Sequence, residues 1–216
     1  GEIDSGYSKE AILSLFEFGG FPEPFFTQNK RDYKRWSADR ARMVIKDDLR
    51  DLEQVREIHR LNQLYSFLPH RVASPLSLNS LRQDLSCSHE SVTKWMNIFE
   101  NLYVGFSVYP YVFKQKNLLK KERKFYLWNW ADVEDLGAKF ENMVASFLLK
   151  YCHFLEDTQG HQMELRYLRT RNGKELDFIV FKENKPLFAV ECKLSDKALS
   201  PNIEYFRQRY PEIPHF

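Results

Sequence analysis

The residues best suited to chemistry are Glu175-Leu176-Asp177 and Glu191-Cys192-Lys193, carried on two strongly apolar runs near the C-terminal end of the chain. Side chains of an extended strand alternate between faces, so Glu175 and Asp177 share one face, and Glu191 and Lys193 share one face of the other strand. If the strands are neighbours, three carboxylates and an ammonium converge. Holding such carboxylates together is costly without a compensating cation, and hard oxygen ligands suit Mg²⁺ or Mn²⁺.

The runs at 176–181 and 187–194 flank the polar stretch 182–186, which reads as a hairpin loop. If Phe181 pairs with Leu187 and the antiparallel register continues without a bulge, Asp177 lies opposite Glu191 and Glu175 opposite Lys193. Directly opposed Cβ atoms stand about 4.5–5.5 Å apart, near enough for two carboxylates to share one ion. The same pattern also fits a solvated face of an amphipathic strand, with Asp177 bridged to Lys193 at the surface.

Three further elements are needed to position these strands. Residues 163–170 read as another strand, joined to the next by the turn-forming Arg171-Asn172-Gly173. Residues 133–151 carry Phe140, Val144, Phe147, Leu148 and Tyr151 at the spacing of an amphipathic helix, with Glu141 beside that stripe. An acidic residue there also complements the helix dipole. Ser200-Pro201 opens a last helix running to about residue 209.

Helix, three strands, helix, with Glu141 in the first helix, Glu175 and Asp177 in the second strand and Glu191 and Lys193 in the third, resembles the PD-(D/E)XK nuclease superfamily over the last third of the chain. The resemblance implies a fourth strand, whereas this sequence stops at Ile213-Pro214-His215-Phe216, where that strand would begin. It further implies that Asp177 and Glu191 bind Mg²⁺ or Mn²⁺, that Glu141 completes the metal shell, and that Lys193 orients or activates the attacking water. Glu175 would stand behind the metal ligands or pair with Lys193.

Upstream, a helix ends at the Pro69–Pro75 break, and 77–85 reads as a short capped helix. A tight turn at Ser86-Cys87-Ser88 leads into a second helix, 89–102, with Val92, Trp95, Met96 and Phe99 on its apolar face. Two short helices so joined form a helix-turn-helix. Strand, basic loop and strand follow over 103–128, completing a winged helix whose wing holds Lys114, Lys116, Lys120, Lys121, Arg123 and Lys124. Clustered lysine and arginine release counterions from phosphate, so these residues and Lys94 are the expected DNA-backbone contacts. Winged helices also serve as protein docking modules, and Glu90, Lys94, Asn97 and Glu100 mix both charge signs on the second helix.

The N-terminal stretch is helical with a sharp corner at Gly19-Gly20-Phe21-Pro22-Glu23-Pro24. That corner, Lys46-Asp47-Asp48-Leu49-Arg50-Asp51-Leu52, the winged helix, Phe140-Glu141-Asn142-Met143-Val144 and Gly173-Lys174-Glu175-Leu176-Asp177-Phe178 follow one another in an order that, along nearly the whole chain, resembles the C-terminal half of prokaryotic AAA-type ATPases carrying domain of unknown function 4143. The resemblance implies a fragment of a longer ATPase whose missing N-terminal half binds ATP and is this chain's partner. No GxxxxGK[ST] loop occurs here, so the fragment alone is not expected to hydrolyse ATP. Arg40 and Arg42 would face the nucleotide in the full protein or be solvated. Lys46 stands where that family tends to have arginine.

At 216 residues and 43% hydrophobic content the chain can bury a real core, and a formal charge of only +2 confines any nucleic-acid surface to a patch. Three cysteines without metal-ligand spacing read as reduced thiols, and no run has transmembrane length, which together point to a cytoplasmic protein without membrane contact. Oligomerisation is left open. The expected fold is α+β: a helical lid-like segment at 1–52, a winged helix-turn-helix at 53–130, and a restriction-endonuclease-like α-β-β-β-α domain at 131–216 lacking its last strand. Two functions fit it. The first is an ATPase fragment with a DNA-binding winged helix and a metal-dependent nuclease-like domain; the second is a non-catalytic module of the same ATPase that binds nucleic acid or protein.

Overall fold

Short polar side chains open four of the described helices, each accepting backbone N–H groups that have no partner within the helix. Ser8 accepts from Ala11 at the start of α1 (Lys9–Phe18), and Asn29 accepts from Arg31 and Asp32 at the start of α3 (Lys30–Met43). Between them lies α2 (Pro22–Thr27), with proline in its first turn. Helix α4 (Val55–Phe67) runs into a 3₁₀ turn (Leu68–Arg71). Ser77 then caps α5 (Leu78–Asp84) and Ser88 caps α6 (His89–Asn101). The computed structural model describes residues 8–45, 55–111, 122–169, 174–195 and 201–216. The Lys46–Leu52 helix motif, Lys114, Lys116, Lys120, Lys121 and the Arg171-Asn172-Gly173 turn lie outside the described residues.

The chain divides into two compact units. The first comprises Gly1–Val72, Ser77–Phe106 and Leu127–Lys139. Its core gathers Leu61, Leu64 and Leu68 with the α6 face expected from the sequence, Val92, Trp95, Met96 and Phe99, all at most 1% exposed. The two helices read from the sequence at 77–85 and 89–102 are both present, and the turn between them uses Ser86 at φ 49°. The Gly-Gly corner has a packing cause: Gly19 takes φ 83°, and a Cβ on Gly20 would stand 2.6 Å from Trp130 Cη2. Trp130 is itself fixed by donating from Nε1 to the Leu15 carbonyl at 2.8 Å.

The second unit comprises Ala73–Leu76, Ser107–Tyr126 and Phe140–Phe216. Its strands belong to a five-stranded sheet in the order β2-β1-β3-β4-β5, from β1 (Gly105–Tyr111), β2 (Lys124–Leu127), β3 (Met163–Arg169), β4 (Glu175–Lys182) and β5 (Lys185–Val190). The two strands read as a wing therefore share a sheet with the three C-terminal strands. β1 pairs in parallel with β3 through Tyr109↔Arg166, Pro110↔Tyr167 and Tyr111↔Leu168.

Helices α7 (Leu136–Gln159) and α8 (Pro201–Arg209) supply the cover for β3 to β5. Cys152 and Leu155 of α7 pack on Met163 and Val180, while Ile203 and Phe206 of α8 pack on Leu168, Leu176, Ile179 and Phe181. α7 does not bury the stripe expected of it. Phe147 and Tyr151 are exposed, and the face turned inward holds Asn142, Met143, Ala145, Ser146, Cys152 and Leu155. Glu141 is one turn from Ala145 and so belongs to that inward side.

Ala189 bridges His215 in parallel, Ala189 N donates to Pro214 O at 2.8 Å, and Glu191 N donates to Phe216 O at 3.0 Å. The last residues thus run alongside β5, at the place where a fourth strand was expected to begin. Among the described residues no helix is long and apolar enough to cross a membrane.

Candidate functional site

The β4–β5 hairpin turns on two residues, Glu183 and Asn184, both at positive φ (52° and 61°), with Lys182 paired to Lys185. This is the tight-turn geometry that matches strand twist. The expected five-residue loop and bulge-free register are therefore corrected. Phe181 pairs with Pro186 rather than Leu187, and Leu187 is the extra residue before Val180↔Phe188. From there the expected register is restored: Ile179 faces Ala189 and Phe178 faces Val190, the last pair of the ladder, beyond which the Glu191 charge acts on Asp177.

A second irregularity lies at Asp177 itself. Between Arg166↔Ile179 and Leu168↔Leu176, the single residue Tyr167 of β3 faces two residues of β4, Asp177 and Phe178. This bulge shifts the alternation, which is why Leu176 lies on the same face as Ile179 and Phe181 against α8. Asp177 is thereby turned with Phe178 and Val180 toward the α7 side, where Glu141 resides. The β5 ladder stops at Val190, and the Cys192 amide instead donates to Asp177 Oδ2 at 2.7 Å.

Burial and the nearby charges of Glu141 and Glu191 push the Asp177 carboxyl up to about 7, against the Cys192 amide and the Lys124 charge, which favour ionisation. Glu191 is also well covered, its side chain 6% exposed, and Lys193 Nζ lies 3.0 Å from its Oε1. The expected pairing of Glu175 with Lys193 is not formed. Lys193 is 57% exposed, and Glu191 beside it raises its proton affinity despite partial burial.

Glu175 is taken by Lys124, whose Nζ stands 2.5 Å from Glu175 Oε1 and 3.0 Å from Glu141 Oε1. Strand alternation places Tyr126 on the same face as Lys124, and its hydroxyl donates to that same Glu141 oxygen at 2.7 Å. Lys124, grouped with the wing lysines as a DNA contact, is only 1% exposed and cannot touch a phosphate backbone from there. Burial lowers its proton affinity, but Glu141, Glu175 and then Asp177 more than offset this, so it stays charged. Burial and Glu141 likewise hold the Tyr126 hydroxyl protonated, and burial with Asp177 pushes the Cys192 thiol far up.

Among the described residues no three His, Cys, Asp or Glu side chains are arranged to close around one ion. Asp177 and Glu191 remain as neighbouring carboxylates, a donor set that fits Mg²⁺ or Mn²⁺, which commonly keep several waters and use one or two protein carboxylates. Glu141 adds its charge to this pair, while its Oε1 is engaged by Lys124 and Tyr126.

Of the remaining candidates, Lys94 is exposed on α6, and Arg123 is half-buried with Nη1 3.2 Å from the Tyr109 hydroxyl. Sequence reasoning overlooked Tyr126, the Cys192 amide, and Tyr167, whose ring centroid lies 5.4 Å from Lys124 Nζ. The available signal was Phe125-Tyr126-Leu127 directly after Lys124: a lysine opening so apolar a strand has a buried neighbourhood.

Residues 136–215 match the family described as domain of unknown function DUF4143, and residues 9–131 match the one described as domain of unknown function DUF8612. The DUF4143 resemblance thus covers the C-terminal part, and the Gly-Gly corner and α5–α6 fall in the other match. The chain is 23% identical over 214 residues to the uncharacterized protein MJ1544 of Methanocaldococcus jannaschii, covering 94% of this chain and 46% of that protein. No solved structure matches. The chain spans about half the length of the curated relative it matches, and with more than half of its residues in the DUF8612 match it belongs to the DUF8612 family, joined to a DUF4143 domain.

Proposed function

We propose that the C-terminal unit is a nuclease-like core of the PD-(D/E)XK kind that hydrolyses DNA phosphodiester bonds with a divalent metal, as part of a longer cytoplasmic ATPase. The observation that carries this reading is Asp177 just past the last β4–β5 pair, its Oδ2 held by the Cys192 amide and its carboxyl pushed up to about 7 by burial and the charges of Glu141 and Glu191. A site with that excess of negative charge favours a cation. A bound Mg²⁺ or Mn²⁺ would neutralise phosphoryl oxygens and lower the pKa of an attacking water.

The chain's own residues divide the remaining work. The Cys192 amide fixes one Asp177 oxygen, and the Phe216 carbonyl holds the Glu191 amide, so both carboxylates are set by backbone. Lys193 keeps its proton, so its exposed ammonium orients the scissile phosphate or the water rather than acting as a base. Lys94 on α6 and the wing lysines would hold the DNA backbone, with the helix-turn-helix serving as a winged-helix reader.

The test is incubation with single-stranded, duplex and branched DNA in Mn²⁺ or Mg²⁺. Cleavage that disappears in both Asp177→Asn and Lys193→Ala supports the reading; equal cleavage by the variants sinks it. One observation favours the second reading, a non-catalytic module binding nucleic acid or a partner protein: Glu141 and Glu175 are already paired internally, both with Lys124 and Glu175 also with Arg169. DNA binding without cleavage in any metal would select it.

A further inference from the structure

Lys124 lies outside the residues expected to hold metal, yet its surroundings are those of a cation site. Its Nζ stands between Glu141 Oε1 and Glu175 Oε1, at 3.0 and 2.5 Å, its centre 5.4 Å from that of the Tyr167 ring, and its side chain is 1% exposed. Tyr126 donates to the same Glu141 oxygen, so this carboxylate is fixed from two sides. Enzymes that use two metal ions place them about 3.5–4 Å apart between bridging carboxylates. Here the carboxylates on the α7 side of Asp177 already enclose a positive charge that is covalently part of the chain.

We propose that Lys124 is a built-in second cation, so that the site takes one divalent ion at Asp177 and Glu191 and not two. This rests on the reading of that pair as a metal site. Lys124 acts as a positioning residue: it keeps Glu141 and Glu175 compensated and out of the ion's coordination shell, and touches no substrate. Its nearest charged neighbours come from two other elements, Glu141 of α7 and Glu175 and Asp177 of β4, with Lys124 itself on β2.

The test counts ions on the 216-residue chain with Mn²⁺ alone, by calorimetric titration and by the electron paramagnetic resonance of the bound ion. Wild type is expected to bind one magnetically isolated Mn²⁺ per chain, and Asp177→Asn to weaken it at least tenfold. Lys124→Gln, which removes the ammonium from between Glu141 and Glu175, is expected to bind two spin-coupled ions, and Lys124→Arg to remain at one. Two ions on wild type, or one on Lys124→Gln, overturns the inference. If Lys124→Gln folds only with Mn²⁺ present, the same count is made on the refolded protein, and refolding that saturates at one ion is equally contrary. A wild type that binds no ion removes the metal site itself; one ion on both proteins, lost in Asp177→Asn, removes only the role of Lys124.

Discussion

The backbone amide of Cys192 donates a 2.7 Å hydrogen bond to Asp177 Oδ2, at the point where the β4–β5 ladder ends and a bulge turns Asp177 toward α7. Two backbone irregularities therefore meet at one carboxylate. Bulges beside functional sites re-aim side chains, and here the side chain is a carboxyl whose ionisation burial and Glu141 oppose.

The first prediction concerns pH. With its carboxyl held at about 7 in the folded chain and near 3.8 when unfolded, Asp177 binds a proton more tightly in the native state. Its contribution is fully present below pH 4 and is lost as pH rises through 7, at about 1.4 kcal/mol per pH unit over that window. Metal-free wild type should melt at progressively lower temperature from pH 5 to pH 8. Asp177→Asn should flatten that slope and be the more stable protein at pH 8. Parallel slopes for the two would contradict it.

Lys124→Ala takes the only ammonium from Glu141 Oε1 that the ion pairs of the described residues show and leaves Glu175 with Arg169 Nε at 3.8 Å, in a largely covered site. Breaking a buried ion pair from one side costs about 3–5 kcal/mol, because the remaining charge keeps its desolvation penalty. Urea unfolding at pH 7 should show a loss of that order, and adding Glu141→Gln should recover part of it. A loss under about 1 kcal/mol would place the pair with ordinary surface bridges.

Gly20→Ala should destabilise the first unit by about 1–3 kcal/mol through overpacking against Trp130, whose indole cannot retreat without giving up its bond to Leu15. Trp130 fluorescence during denaturation reports it. An unchanged midpoint would mean the indole has room to move.

If DNA binds through α6, Lys94→Ala should weaken it similarly for every sequence and reduce the salt slope by about 1. Lys124→Arg should leave that slope unchanged, because the side chain at this position is buried. Filter binding across salt concentrations separates the two.

Much of this arrangement was legible because it is local. Ser77 and Ser88 marked the starts of α5 and α6, the apolar spacing of Val92, Trp95, Met96 and Phe99 fixed the buried face, and alternation placed Glu175 and Asp177 with the third strand beside them. What escaped depends on backbone detail or distant pairing. Glu183-Asn184 turns the hairpin with two left-handed residues, although only asparagine advertises that conformation. Pro186 has no N–H for the ladder, a local reason for Leu187 to bulge. The parallel joining of β1 to β3 links residues more than fifty positions apart, which no periodicity encodes. Lys124 was misread because a lysine at the end of a basic run looks solvated until Glu141 and Glu175 arrive from elsewhere in the chain.

The most direct measurement is an anomalous difference map from crystals soaked in Mn²⁺. One peak is predicted per chain, within about 2.0–2.6 Å of an oxygen from both Asp177 and Glu191, as oxygen coordination requires, with Lys124 still lodged between Glu141 and Glu175. A peak that displaces Lys124, or the absence of any peak at Asp177, would contradict it.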